Sequence, residues 1–308
     1  MRRLLASFLF AVICAPAATY YVTIAGLGGE PDYEQHFEMW ASDIEKILKA
    51  SGGEGKIETL KGAGATRVAI SALLGKIAGE ATAQDVLVVM LIGHGTFNGF
   101  DYKINLPGPD LSADDLAKLL DKIRASRQLV VNMTSASGGS INALVHPNRV
   151  LITATKTGSE KNATVFTRYW LEALRDPAAD TDKNDTISAL EAFRYAQQKT
   201  ANFYETQKRL ATEHALLEDT GVGIGVRAPA AENGNGLRAA AFPLLRLGSA
   251  QAAAATPEKR KLFDKKEELE QEIDKLKYQK AAMPAEEYKK GLEALLLELA
   301  KTQEELDK

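Results

Sequence analysis

VLVVMLIGHGTFNG, Val86 to Gly99, is the stretch whose reading decides the fold. Val86 to Ile92 is an unbroken apolar run, and its length suits a strand buried on both faces. Gly93-His94-Gly95 follows. Open α/β sheets gather their chemistry at the carboxyl ends of their strands, and flanking glycines let the backbone turn sharply and leave the imidazole uncrowded. A second strand-like run, Gln128 to Met133, ends in Thr134-Ser135-Ala136-Ser137-Gly138-Gly139. Two adjacent strand ends would then present a histidine on one loop and small hydroxyls on the other.

Working outward, Tyr20 to Ala25 is a β-branched and aromatic run that reads as a first strand. Gly26-Leu27-Gly28-Gly29 reads as a tight strand-to-helix turn. The third glycine of a dinucleotide fingerprint is missing, and Glu30 would repel a phosphate. Tyr33 to Ala50 has Phe37, Trp40, Ile44 and Leu48 on one helical face. Lys56 to Leu60 is expected as a strand, Arg67 to Gly79 as a helix, and Ser112 as the N-cap of a helix running to Ile123. Val150 to Ala154 reads as a strand, Thr164 to Leu174 as a helix, and Phe203 to Leu217 as a continuation of the helix from Ser188 to Thr200, ending near Thr220-Gly221. This alternation predicts an α/β fold, a mainly parallel sheet with helices on both faces.

The His-Gly strand end and the following small-residue loop with Ser-Gly resemble the legumain and caspase peptidases. The resemblance spans roughly Tyr20 to Gly225 and implies a three-layer sandwich. In that family the first loop gives a catalytic His and the second a Cys shortly before Ser-Gly. His94-Gly95 and Ser137-Gly138 match, but no Cys does. The nucleophile position falls on Ser135, or on Thr134 if the register slides by one residue; Asn132 is nearest to the acidic position before it. A hydroxyl is a weaker nucleophile than a thiolate, and nothing in the sequence shows a group that orients His94. The expectation is a pseudopeptidase that binds peptide or protein segments. The alternative is a hydrolase using Ser135 or Thr134 with His94.

Composition sets the outer limits. The 308 residues are 45% hydrophobic and 26% charged, as for a soluble globular domain with an appendage. Residues 1–17 read as a secretory signal: Arg2 and Arg3, an apolar run from Leu4 to Ile13, and Ala15-Pro16-Ala17 as cleavage site. The apolar run is too short to span a bilayer, so no transmembrane segment is expected in the mature chain, which would be secreted or periplasmic. The single cysteine, Cys14, lies inside this segment. A mature chain would carry no disulfide and no thiol nucleophile, while lipid attachment at Cys14 is a second reading. The net charge of −3 gives no reason to expect a nucleic-acid partner. His36, His146 and His214 read as surface or capping residues, with no spacing that suggests zinc.

Asp180 to Glu191, DTDKNDTISALE, has the oxygen-ligand spacing of an EF-hand loop. Asp180, Asp182, Asn184, Ser188 and Glu191 fall on side-chain ligand positions, and Thr186 would offer its backbone carbonyl. Position six is Asp185, where such a loop wants glycine; aspartate tolerates the left-handed conformation better than most residues. Ca²⁺ at a weak site is expected, against a plain acidic turn capping the next helix at Ser188 or Asp185.

The caspase- or legumain-like domain is bounded at 19–249. Ala239 to Leu247 would add an edge strand, and Gln251 to Thr256 reads as a linker. In residues 256–308, Leu262, Leu269, Ile273, Leu276 and Met283 form one seam. Tyr288, Leu292, Leu295, Leu299 and Leu306 form another after Met283-Pro284. This reads as a coiled-coil helical hairpin, packed on its own chain or self-associating with another subunit.

Overall fold

Val86, Val88, Met90 and Ile92 join one apolar cluster, and Leu87, Val89 and Leu91 join another. This period-two division sets β3 (Val86–Ile92) between two helical layers in the computed structural model, which describes residues 17–51, 55–248 and 256–308. The expected signal segment with Cys14, apart from Ala17, lies outside the described residues, as does most of the expected linker.

Around β3 run β1 (Thr19–Ala25), β2 (Lys56–Leu60), β7 (Arg127–Asn132), β8 (Arg149–Thr153) and β10 (Leu216–Glu218). Their order is β10-β8-β7-β3-β1-β2. Every neighbouring pair is parallel except β10 on β8. One face is covered by α1 (Pro31–Ala50), α5 (Phe166–Ala173) and α6 (Ala189–Thr206), through Phe37, Ile44, Trp170 and Phe193. The other is covered by α2 (Arg67–Glu80), α3 (Ala113–Leu120) and α4 (Ile141–Leu144), through Ile70, Leu74, Leu116 and Ile141. The α/β class, the mainly parallel sheet and the helices on both faces are as expected. Ser112 caps α3 as its sequence suggested, accepting from Asp115 N at 3.1 Å.

Three expectations need correction. The helix expected to continue over Phe203 to Leu217 ends early: α6 stops at Thr206, Lys208 turns to φ 52°, and Leu216 begins β10. Tertiary contacts override helix propensity there, because the Glu213 carboxylate accepts from Val165 N and Phe166 N, at the start of α5. The strand expected within Ala239 to Leu247 shortens to β11 (Pro243–Arg246), preceded by a helical turn, α7 (Leu237–Ala240). It joins no edge of the main sheet. Instead it pairs antiparallel with β9 (Thr186–Ser188), inside the acidic loop. Finally, the helix after Ser112 ends at Leu120 rather than Ile123.

Between β3 and α3 the chain forms an antiparallel sheet that the sequence did not reveal: β4 (Gly95–Phe97), β5 (Tyr102–Ile104) and β6 (Leu111–Ser112). The C-terminal hairpin is present as α8 (Pro257–Gln279) and α9 (Ala285–Leu306). Lys259 Nζ reaches Leu306 O at 3.2 Å and Lys265 pairs with Glu298 at 2.9 Å, so the helices run antiparallel. The hairpin rests on its own chain. Arg246 pairs with Glu267 at 2.9 Å and Asp264 at 3.2 Å, and Tyr278 OH donates to Asn235 O at 2.9 Å. Among the described residues no helix is long and apolar enough to cross a membrane.

Candidate functional site

β3 and β7 lie side by side, with Leu91 opposite Asn132, so the His94 loop and the loop from Thr134 to Gly139 leave neighbouring strand ends. Gly93 makes the turn after β3 at φ 147°, its missing side chain facing the Gly26 backbone. The second loop turns at Ala136, whose φ is 56° and whose N–H donates to Glu160 O at 2.7 Å. The two loops are stitched together by Ser135: its Oγ accepts from Gly95 N at 3.0 Å and donates to Gly95 O at 3.1 Å. Thr134 Oγ1 bonds Asn132 Oδ1 at 2.8 Å and makes a short contact with Tyr102 OH. Thr134 and Ser135 are both buried. Tyr102 is buried as well, which pushes its phenol up to about 12.

His94 faces elsewhere. Its ring meets Tyr33 edge-on at 4.9 Å and Phe37 at 5.2 Å, both on α1. Burial among these rings holds its pKa below the usual histidine value, against the Gly28 backbone and the Glu30 carboxylate, which favour the charged form. Among the described residues no hydrogen bond joins His94 to Thr134 or Ser135. The fold thus brings the two loops together while turning the histidine toward α1 and locking the hydroxyls into the backbone. Tyr33, Tyr102 and Glu160 shape the site and carry no sequence signal beyond their residue type. Phe37 was visible only as part of a helical apolar face.

The loop from Asp180 to Glu191 forms a second cluster. Asp180, Asp182 and Glu191 each bring a carboxylate oxygen within 4.8 Å of the others. Asp185 takes φ 66° at position six, the conformation that glycine usually supplies there. Asp180 accepts from Asn184 N at 3.2 Å and Asp185 N at 3.0 Å, and Asn184 Oδ1 accepts from Thr186 N at 2.8 Å. Glu191 also completes a capping box with Ser188, its Oε2 accepting from Ser188 N at 3.0 Å. Its Oε1 turns back to accept from Thr181 N at 2.8 Å. Asp182 is held up at about 6 by desolvation and by the Glu191 and Asp180 charges. A cavity of about 410 Å³ lies between this loop, α6 and the hairpin, lined by Asp182, Asn184, Arg194, Glu267, Glu270 and Lys277 among others. Glu270 is pushed up to about 7 by burial, eased by Lys266 and reinforced by Asp182. The donor set, all oxygen and rich in carboxylate, fits a hard divalent cation such as Ca²⁺.

The chain belongs architecturally among α/β proteins with a mainly parallel, two-sided sheet. No model of a known protein family matches it, and no curated protein matches it either. Among solved structures it is similar to protein GSU0716 of Geobacter sulfurreducens, with a TM-score of 0.45 and 13% identity over 72% of this chain and 97% of that one. It is also similar to the Drosophila initiator caspase Dronc, with a TM-score of 0.44 and 10% identity over 68% of this chain and 82% of that one.

Proposed function

We propose that this chain is a catalytically silent relative of the legumain and caspase peptidases that binds peptide or protein segments at the carboxyl end of its sheet. One observation carries the reading. The hydroxyls at the nucleophile position, Ser135 and Thr134, are buried and already committed to Gly95, Asn132 and Tyr102, while His94 packs against Tyr33 and Phe37. A hydroxyl needs a base within hydrogen-bond reach to act as a nucleophile, and among the described residues neither is hydrogen-bonded to a histidine or carboxylate. What the site offers is surface. Tyr33, at 36% exposure, stands edge-on to the half-buried His94, and exposed Leu27 precedes Gly28, whose backbone lies beside the imidazole, so apolar surface flanks one polar ring. Such a surface suits an extended segment carrying an apolar side chain. An immobilised peptide library tests this. Retained peptides should be apolar at one position, and retention should weaken in Tyr33→Ala. A library that shows no retention on the native protein would contradict the reading.

The signal-like pattern of residues 1–17, Arg2 and Arg3 before an apolar run, supports a protein that works outside the cytoplasm. The loop at 180–191 supports Ca²⁺ binding, with Asp180, Asp182, Asn184, Ser188 and Glu191 as side-chain ligands and Thr186 as carbonyl ligand. Extracellular loops of this kind bind with Kd of about 10⁻⁴ to 10⁻³ M, and aspartate in place of glycine at position six is the reason to propose that range here.

A further inference from the structure

The acidic loop is also the seat of the C-terminal hairpin. β9, the exit of the loop, pairs with β11, and Leu247 N donates to Asp185 O at 2.8 Å. The chain then leads into α8, which returns across the loop. Two of its side chains meet at Asn184, the fifth position of the loop. Lys266 Nζ donates to Asn184 O at 3.3 Å. Asn184 Nδ2 donates both to Asp182 Oδ2 at 3.2 Å and to Glu270 Oε2 at 3.3 Å. Two carboxylates, one from the loop and one from the hairpin, thus share a single amide donor.

Like charges this close repel unless a cation stands near both. Lys266 supplies part of that charge from the rim, 3.9 Å from Glu270 Oε1. Behind it Asp180, Asp182 and Glu191 converge. Thr186, only 6% exposed and in the wall of the same cavity, has an Oγ1 with no hydrogen-bond partner among the described residues. Five carboxylates line the cavity against two cations, Arg194 and Lys277, and the hairpin closes it on one side.

Resting on the reading of the loop as a Ca²⁺ site, we infer that the hairpin is part of that site: Glu270 adds a carboxylate to the ion's surroundings, so that cation binding and hairpin docking strengthen each other. Linkage makes the effect reciprocal. A bound divalent ion relieves the repulsion between Asp182 and Glu270 and tightens α8 on the loop. The docked hairpin raises the affinity of the loop for the ion.

The test uses the full chain, wild type and Glu270→Gln, a change that keeps the size and the acceptor for Asn184 while removing the charge. Calorimetry with CaCl₂ should show the variant binding weaker by about fivefold or more, the lower end of ordinary coupling between sites. Hydrogen exchange should slow along Pro257–Gln279 when calcium is added to wild type, and slow less in the variant. Calcium binding by wild type with equal affinity in Glu270→Gln and unchanged exchange in α8 would overturn this inference and leave the loop reading intact. Absence of any calcium heat in wild type would overturn both.

Discussion

Ser135 shows how a hydroxyl at a strand end can serve structure. Its hydroxyl closes a ring with both backbone groups of Gly95 and so holds the two strand-end loops in register. Ser135→Ala should leave a buried N–H and C=O partly unsatisfied and lower stability by about 1–3 kcal/mol, read by denaturant unfolding. A neutral effect would mean that the stitch does not form. His94 makes a second prediction. Its folded pKa lies below its unfolded value of about 6.5, so the unfolded chain binds more protons in the window between them. Stability should rise with pH across that window and fall as pH drops through it. Imidazole resonances followed by NMR should titrate below the usual histidine value of about 6.5, and His94→Phe should flatten the slope just below it. A His94 midpoint above the ordinary value would place the ring in a different environment from the one between Tyr33 and Phe37.

At the scale of elements, the glycines divide into those that are packed and those that are free. A Cβ on Gly138 would stand 2.3 Å from the Lys156 carbonyl carbon and 2.4 Å from Thr157 N, so backbone must move to admit it. Gly75, inside α2, has nothing within 4 Å of such an atom. Gly138→Ala should therefore cost about 1–3 kcal/mol, whereas Gly75→Ala should stabilise by about 0.4–1 kcal/mol. Thermal melts of the two single variants check the contrast, and equal shifts would refute it. The elements also show what a sequence discloses. β3 was legible because both of its faces are buried, and α3 because Ser112 and two aspartates mark its start. β4, β5 and β6 were not, because strands of two or three residues carry no periodicity. The end of α6 was hidden for a different reason: Glu213 caps a helix 47 residues away in sequence, and no local pattern records that.

At the scale of the molecule, the same distinction separates the two candidate sites. Features that rest on their own spacing were readable: His94 at a strand end, and the cluster of acidic side chains from Asp180 to Glu191. The partners that decide what those residues can do come from elsewhere in the chain. Tyr102 reaches Thr134 across 32 positions, Asn184 reaches Glu270 across 86, and Tyr33 and Phe37 meet His94 from the far side of the sheet's first turn. The hairpin was recognisable as a hairpin, yet its seat on the acidic loop depends on β9–β11 pairing that only the folded chain creates. The α/β framework and the proposed catalytic silence are therefore separate matters, the second resting on where two hydroxyls and one imidazole point. The measurement that bears on it most directly is labelling with a fluorophosphonate, which reacts only with an activated hydroxyl. The native protein should remain unlabelled under conditions that saturate a serine hydrolase. Labelling at Ser135 or Thr134 that disappears in His94→Ala would contradict the account.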